Sequence, residues 1–191
     1  DGRAEIVTIV REESSLVPAT GLMCHAAIYE VAETIDLMAV ADQSIPCESH
    51  APAIADLESD GNVEIILGNR VYDSESLSVL WSGAGGAGWY NRSEYPVGTT
   101  YPGYWNSGYH SFAYDMNADG TDLEVVAGNT IYNADGSVYC DLRTEDGFLT
   151  SDGYPAIADV VGDDGNPEIV ISGNHLVALF SGTPDGSGYC N

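Results

Sequence analysis

Acidic and amide side chains recur at alternate positions of three short loops, each built around a glycine. The clearest loop is DLESDGNVE, which runs from Asp56 to Glu64. Side-chain oxygens at its positions 1, 3, 5 and 9, with a backbone carbonyl expected at position 7, can surround one Ca²⁺, and Gly61 supplies the sharp turn. The predicted calcium ligands of this loop are Asp56, Glu58, Asp60, Asn62 and Glu64.

Two later loops follow the same plan with altered spacing. In the earlier one a single inserted residue moves the glutamate from position 9 to position 10, so either Asp122 or Glu124 is expected to complete the ligand set. In the later one the acid spacing is stretched by one residue and the ligand at position 3 is missing. Their predicted ligands are Asp115, Asn117, Asp119, Thr121 and Glu124, and then Asp159, Asp163, Asp164 and Glu168.

A trimmed copy of the loop at the start of the chain keeps only Asp1 and Glu5, which is half a site. We therefore expect roughly two to three bound Ca²⁺ ions. The alternative is that Asp, Asn and Gly merely form tight turns. An EF-hand is not expected, because Leu67 stands where that motif needs a bidentate acid and no flanking helix is predicted.

Each acidic loop joins two short apolar runs rich in β-branched residues, which predicts a strand on either side. The loop glycines Gly2, Gly61, Gly120 and Gly165 lie 59, 59 and 45 residues apart. Repeats of about 40–50 residues with several strands each are typical of propeller blades. We predict an all-β fold, a β-propeller of four-stranded blades, with three to four blades in this chain or in a larger propeller to which it contributes.

The predicted units form one repeat region over residues 1–191, divided approximately into 1–49, 50–110, 111–150 and 151–191, with an insertion at 83–110. The first unit lacks its opening strand and the last its closing strand, so both ends should leave open blade edges. The chain begins inside a repeat, which indicates a segment whose leader lies elsewhere.

The segments PAIADLESDGNVEII, AYDMNADGTDLEVV and PAIADVVGDDGNPEIV resemble the FG-GAP/VCBS repeats of integrin-α-like β-propellers. The resemblance covers most of the chain except residues 83–110 and the stretch around 11–50. It implies four-stranded blades round a central axis, Ca²⁺ between the first two strands of a blade, and an extracellular role in adhesion or ligand binding. Related repeats also occur in some lectins and calcium-dependent polysaccharide lyases, so the motif predicts fold and metal better than activity.

The charge of the chain narrows the choice of partners. Thirty Asp and Glu against five Lys and Arg give a formal net charge of −25, which disfavours nucleic acid and anionic lipid surfaces. No apolar run approaches the length of a membrane span, so membrane insertion is not expected.

Four cysteines without a CxxC pair fit two disulfides and an oxidising compartment, hence a secreted or cell-surface protein. Three connectivities are open, and proximity in the sequence favours Cys24–Cys47 with Cys140–Cys190. The alternative is buried free thiols. Asn91 opens a glycosylation sequon, which matters only in a glycosylating host.

An aromatic segment at residues 88–109 holds seven of the eighteen aromatic side chains. Exposed Trp and Tyr stack on sugar rings and anchor protein interfaces, so the segment is the predicted binding surface. The named candidates are Trp89, Tyr90, Tyr104 and Trp105. The alternative is that the insertion folds over a blade edge and buries its own rings. A GxGxxG match at 83–88 opens no helix and predicts a flexible turn, not a dinucleotide site.

The leading hypothesis is a non-enzymatic, calcium-stabilised extracellular β-propeller that serves as a protein- or glycan-binding adhesion module. One alternative is a structural subunit of an extracellular assembly or filament, which would self-associate through open blade edges. The other is the propeller part of a calcium-dependent polysaccharide lyase or hydrolase, which would bring carboxylates, Arg or His together in a cleft.

Overall fold

A computed structural model describes residues 4–11, 23–46, 49–88, 107–142, 152–162, 165–173 and 176–190. Over these ranges the chain forms β-strands and no α-helix, which confirms the all-β prediction. The strands are β1 (Ala4–Arg11), β2 (Met23–Val31), β3 (Ile35–Val40), β4 (Ile45–Pro46), β5 (Ser49–Ala51), β6 (Ala53–Ala55), β7 (Glu64–Leu67), β8 (Arg70–Asp73), β9 (Val79–Ser82), β10 (Ser107–Tyr114), β11 (Glu124–Ala127), β12 (Thr130–Tyr132), β13 (Val138–Leu142), β14 (Tyr154–Ala158), β15 (Glu168–Gly173), β16 (Leu176–Ser181) and β17 (Tyr189–Cys190).

The strands form four separate sheets, numbered here in chain order. The first contains β1, β2 and β3, with β4 also paired to β2, and the second runs β6-β7-β8-β9. The third has the order β17-β13-β12-β11-β10-β5, and the fourth is β14-β15-β16. Most neighbours are antiparallel, whereas β5 and β17 join the third sheet in parallel.

Tight turns set the register inside the sheets. The β7–β8 and β11–β12 hairpins each turn through a Gly-Asn pair, at Gly68 and Gly128, whose φ angles are 61° and 62°. A positive φ at the first turn position suits a type II′ hairpin and favours glycine. The β12–β13 hairpin turns at residues 133–136, where Gly136 has φ of 83° and donates its N–H to the Asn133 carbonyl at 2.9 Å.

The four sheets pack on one another in chain order through three apolar clusters. Side chains alternate between the two faces of a strand, so Ile65 packs toward the first sheet while Ile66 packs toward the third. In the same way Val125 packs toward the second sheet and Val126 toward the fourth. The two middle sheets are therefore covered on both faces, which explains the unbroken apolar runs of β7 and β11.

Strand counts depart from the predicted four-stranded blades in two of the sheets. The second sheet has the four predicted strands, but the third has six because β5 and β17 add to it. The fourth has three described strands, because the chain after β16 leaves that sheet and returns to β13. Among the described residues the sheets do not close into a barrel, and no complete propeller is seen. The propeller stays a prediction.

A disulfide between Cys140 and Cys190 joins β13 to β17, as predicted. Cys24 is also disulfide-bonded, while its predicted partner Cys47 lies outside the described residues. None of the described cysteines is a free thiol, so the free-thiol alternative is wrong for them. No helix in the described part of the chain is long and apolar enough to cross a membrane.

Candidate metal centre in the acidic loops

The second sheet presents its acidic loop between β6 and β7, where the chain wraps around the carboxylate of Asp56. One oxygen of Asp56 accepts the Asp60 N–H and the other accepts the Gly61 N–H, both at 2.9 Å. Two residues make this turn in the left-handed region, Ser59 with φ of 53° and Gly61 with φ of 92°. The first predicted ligand therefore also organises the loop backbone.

Glu64 closes the same loop from its far end. Its Oε2 accepts the backbone N–H of Leu57 at 2.8 Å, which ties the start of β7 to the residue after Asp56. Asp60 accepts the Asn62 N–H at 2.8 Å and the Asn62 side-chain amide at 3.1 Å. The remaining predicted ligand, Glu58, is exposed.

The loop of the third sheet, between β10 and β11, repeats this frame. Asp115 accepts the N–H groups of Asp119 and Gly120 at 3.1 and 3.0 Å. Glu124 Oε2 accepts the Met116 N–H at 2.8 Å, as Glu64 does from Leu57. Of the two residues that the sequence left open, Glu124 and not Asp122 therefore takes the position of Glu64.

Asn117 and Thr121 have defined partners in this loop. The Asn117 amide donates to Glu124 Oε1 at 3.1 Å, and its own Oδ1 accepts the Asp119 N–H at 2.9 Å. Thr121 donates its N–H and its hydroxyl to Asp119 Oδ1 at 2.8 and 2.6 Å. The hydroxyl bond from Thr121 is the main reason that the pKa of Asp119 lies below its usual value.

The fourth sheet carries a looser version between β14 and β15. Asp159 Oδ2 accepts the Gly165 N–H at 2.9 Å. Glu168 Oε2 accepts two N–H groups, from Val160 at 2.8 Å and Val161 at 3.0 Å. The first acid and the closing glutamate thus recur in all three loops. Two further predicted ligands, Asp163 and Asp164, lie outside the described residues.

The loops of the second and third sheets touch each other. The Leu123 N–H donates to the Leu57 carbonyl at 2.8 Å, and the Ser59 hydroxyl donates to the Thr121 carbonyl. Leu57 itself is buried in the cluster that joins the two sheets. Two groups of carboxylates are thereby held side by side at the same end of adjacent sheets.

Burial and neighbouring carboxylates raise the pKa values of Glu64 and Glu124, the closing glutamates of the second and third sheets. For Glu64 the largest cause is burial, followed in the same direction by the charges of Asp56, Asp60 and Glu58, while the Leu57 N–H opposes them. For Glu124 the largest cause is again burial, with Asp115 and Asp119 adding to it. The loops of the second and third sheets therefore each hold an acid whose charge the site disfavours without a neutralising partner.

The described side chains do not form a ready-made coordination sphere. Over the described ranges, no group of three or more His, Cys, Asp or Glu is placed to hold a metal ion. The donor chemistry nevertheless suits a hard cation, since the loops offer carboxylate, amide and backbone oxygens and contain neither cysteine nor histidine. The carboxylate oxygens that accept backbone N–H groups keep further lone pairs for a ligand.

Other predicted site residues lie outside the described part of the chain. These are the aromatic candidates Trp89, Tyr90, Tyr104 and Trp105, and the sequon residue Asn91. The GxGxxG segment that precedes them has no helix or strand and contacts the third sheet. The N–H groups of Gly85 and Gly86 donate to the Tyr132 and Thr130 hydroxyls, both at 2.8 Å.

Asp152 is a structural residue that the sequence did not single out. Its carboxylate accepts the N–H groups of Ala87 at 2.9 Å, Asn129 at 3.3 Å and Gly153 at 2.9 Å. It thus joins the start of the fourth sheet to the third sheet and to the GxGxxG segment. Its distance in sequence from Ala87 and Asn129 gave no local signal of this role.

No family model and no curated protein matches the chain. A solved structure does, that of the Vibrio cholerae biofilm matrix protein Bap1, with 20% sequence identity and a TM-score of 0.55. The match covers 95% of this chain and 27% of the Bap1 chain, so this chain spans about a quarter of the length of that protein. At this level of identity the match shows a shared fold.

Proposed function

We propose that this chain is a calcium-stabilised extracellular β-propeller module of the FG-GAP/VCBS kind that binds a protein or glycan partner in adhesion. The observation that carries the proposal is the frame shared by three acidic loops. In each loop the first Asp accepts the backbone N–H of the loop glycine. The glutamate that begins the next strand accepts the backbone N–H of the residue that follows this Asp.

Calcium would relieve the electrostatic repulsion within the loops. The loop of the second sheet gathers four carboxylates within nine residues, and Glu64 is half-buried and near the other three. A divalent cation among them replaces like-charge repulsion with attraction. The ligands proposed for it are Asp56, Glu58, Asp60, the Asn62 carbonyl and Glu64.

The affinity of such a site should be modest. Because the described side chains do not already converge on one point, binding has to draw the exposed Glu58 and Asp60 inward at a cost in side-chain entropy. Extracellular calcium modules with adaptable ligands bind with Kd of about 10⁻⁴–10⁻³ M, which is a sufficient affinity outside cells.

A propeller is supported by the order of the sheets. Four small sheets pack face to face in chain order through successive apolar clusters, and three of them carry an acidic loop between two of their own strands. Blades of a propeller pack in this manner around a central axis.

An extracellular location is supported by two observations. The Cys140–Cys190 disulfide requires an oxidising compartment to form and persist. The matched structure is that of a biofilm matrix protein, which suggests a matrix or adhesion role here. The proposed contact surface for a protein or glycan is the aromatic segment at residues 88–109.

Calcium titration by calorimetry, with melting curves recorded in calcium and in chelator, tests the proposal. We expect about two to three bound ions and a lower melting temperature in chelator. Asp56→Asn and Asp115→Asn should each remove about one ion from the stoichiometry. Glu75→Gln, which removes an exposed acid outside the loops, is the matched control and should bind as the wild type does. No binding, or melting curves that are insensitive to chelator, would rule out the calcium role.

A further inference from the structure

The three junctions between successive sheets are built from the same two cross-strand pairs. We define the leading face of a sheet as the one toward the preceding sheet and the trailing face as the one toward the following sheet. Every trailing face contributes a pair of aliphatic residues, and every leading face that meets it contributes an aliphatic residue paired with an aromatic one.

The trailing pairs are Val7–Ile28, Ile66–Val71 and Val126–Ile131. The leading pairs that they meet are Ile65–Tyr72, Val125–Tyr132 and Ile169–Phe180. Each trailing pair shares an apolar cluster with the leading pair of the next sheet. The leading aliphatic residue is almost fully buried at each junction, with 1% exposure for Ile65 and 0% for Val125 and Ile169.

The first and fourth sheets each carry one half of this junction on which no described sheet packs. On the leading face of the first sheet, Ile6 pairs with Tyr29 in the register that Ile65 and Tyr72 occupy in the second. Ile6 is 46% exposed where its counterparts are buried. The same face continues along β3 through Leu37, the cross-strand neighbour of Tyr29, and through Ile35 beside Val31.

On the trailing face of the fourth sheet, Val170 pairs with Leu179 in the register of Ile66–Val71 and Val126–Ile131. Leu179 is 47% exposed, whereas Val71 and Ile131 are fully buried. Val177, two residues along the same strand and on the same face, is also exposed. The fourth sheet thus offers the aliphatic pair, and the first sheet offers the aliphatic–aromatic pair that would receive it.

We propose that a second copy of this chain docks head to tail, with Val170 and Leu179 of one copy packed on Ile6 and Tyr29 of the next. The partner follows from the complementarity, because this chain itself supplies both halves of a junction that it already forms three times. This contact between sheet faces is distinct from strand pairing at open edges. Such a contact is heterologous, so it either closes into a ring or continues as a filament.

The net negative charge of the chain opposes association of two copies at long range, but the proposed contact itself is made by uncharged residues. The chain carries a formal charge of −25, so copies repel one another at low ionic strength. The four residues of the two open pairs are uncharged. Salt screens the repulsion beyond about 10 Å at 0.1 M, so association should strengthen as salt is added.

The test is the oligomeric state in calcium-containing buffer, measured by sedimentation velocity over a wide concentration range. Wild type should form species larger than a monomer at high concentration. Ile6→Asp and Leu179→Asp should each raise the Kd of association by at least about 30-fold, because a carboxylate would be buried at the centre of the contact. Val138→Asp is the matched control, since Val138 is 49% exposed in a sheet already covered on both faces, and it should associate as wild type does.

Mixing the two variants determines the polarity of the contact. Each variant keeps one unmodified face, so neither can associate with itself. The unmodified Leu179 face of the Ile6→Asp protein fits the unmodified Ile6 face of the Leu179→Asp protein. Their mixture should therefore form a dimer that grows no further. Leu37→Asp and Val177→Asp repeat the test on the same two faces if circular dichroism shows that either first variant is unfolded.

Several outcomes would overturn the proposal. These are a wild-type monomer at all concentrations, a mixture that stays monomeric, association of either variant alone, and dissociation of the Val138→Asp control. If the wild type is a monomer, the alternative is that further sheets of a longer polypeptide cover these faces. The readout does not depend on a ligand or on cation stoichiometry, so failure here is distinguishable from failure of the adhesion proposal.

Discussion

Leu123 donates its backbone N–H to the carbonyl oxygen of Leu57 at 2.8 Å, and this bond joins the acidic loops of two adjacent sheets. The Leu57 N–H in turn donates to Glu64, so one buried leucine connects the closing glutamate of its own loop to the next loop. The carboxylates of the two loops therefore share one end of the stack. An ion bound to one loop would lower the negative potential at the other.

Leu57→Ala should be strongly destabilising. Leu57 is 1% exposed in the cluster between the second and third sheets, and removal of a buried leucine side chain leaves a cavity that costs about 2–5 kcal/mol. Urea unfolding of this variant should show a lower midpoint than wild type. Leu80→Ala, at a leucine that is 54% exposed, is the control and should change the free energy of unfolding by less than about 1 kcal/mol.

Glu124→Ala should destabilise the metal-free protein. The buried Met116 N–H would lose its acceptor, and an unsatisfied buried donor costs about 1–3 kcal/mol. Glu58→Ala removes an exposed acid from the equivalent loop and should change the free energy of unfolding by at most about 0.5 kcal/mol. Equal effects of the two substitutions on chemical denaturation would contradict the frame described for these loops.

Gly120→Ala should cost about 1 kcal/mol of stability through the backbone alone. Gly120 has φ of 69°, where an L-residue is strained, although a methyl group at this position would contact nothing within 4 Å. Gly186→Ala has equally open surroundings without a positive φ, so it should be neutral or slightly stabilising. Thermal melting of both variants under one set of conditions checks the difference.

Two equivalent tyrosines should respond differently to loss of the hydroxyl. Tyr132 OH donates to the Gly86 carbonyl at 3.0 Å and accepts the Gly85 N–H at 2.8 Å, so Tyr132→Phe should cost about 1–3 kcal/mol. Tyr72 OH is buried without a hydrogen-bond partner among the described residues, so Tyr72→Phe should be neutral or stabilising. Denaturant midpoints in which Tyr72→Phe is the weaker variant would contradict this assignment.

The stability of the cation-free protein should fall as pH rises above the ordinary glutamate range. Burial raises the folded-state pKa of Glu124 above its ordinary value of 4.5, so folding favours the protonated acid. Its contribution is fully present below pH 4.5 and is lost as pH rises through the raised folded-state pKa. The raised pKa of Glu64 acts in the same direction.

Melting curves of protein stripped of divalent cations, recorded from pH 4.5 upward, measure this dependence. Glu124→Gln should flatten the curve, because the amide does not titrate. Added calcium should restore the most stability at the highest pH, where the carboxylates are fully charged. A flat profile for the stripped wild type would contradict the raised pKa values.

The sequence determined the strands and the acidic loops because both follow from local patterns. Runs such as VEIILGN and LEVVAGN specify short buried strands, and an Asp followed by a glycine five residues later specifies a turn around a carboxylate. For this reason the residues that organise the loops, such as Asp56, Glu64 and Glu124, are among those that the sequence singled out. The Cys140–Cys190 pair followed from sequence proximity in the same way.

Only the tertiary structure decided which sheets the strands join and which faces remain open. β17 returns to β13 in the third sheet, and Ile6 is exposed while Ile65, in the same local pattern, is buried. Similar local sequences therefore differ in burial, because burial depends on whether another sheet lies against that face. The sequence by itself therefore determined the repeated unit, and packing between units decided the extra strands of the third sheet and the two faces left for a partner.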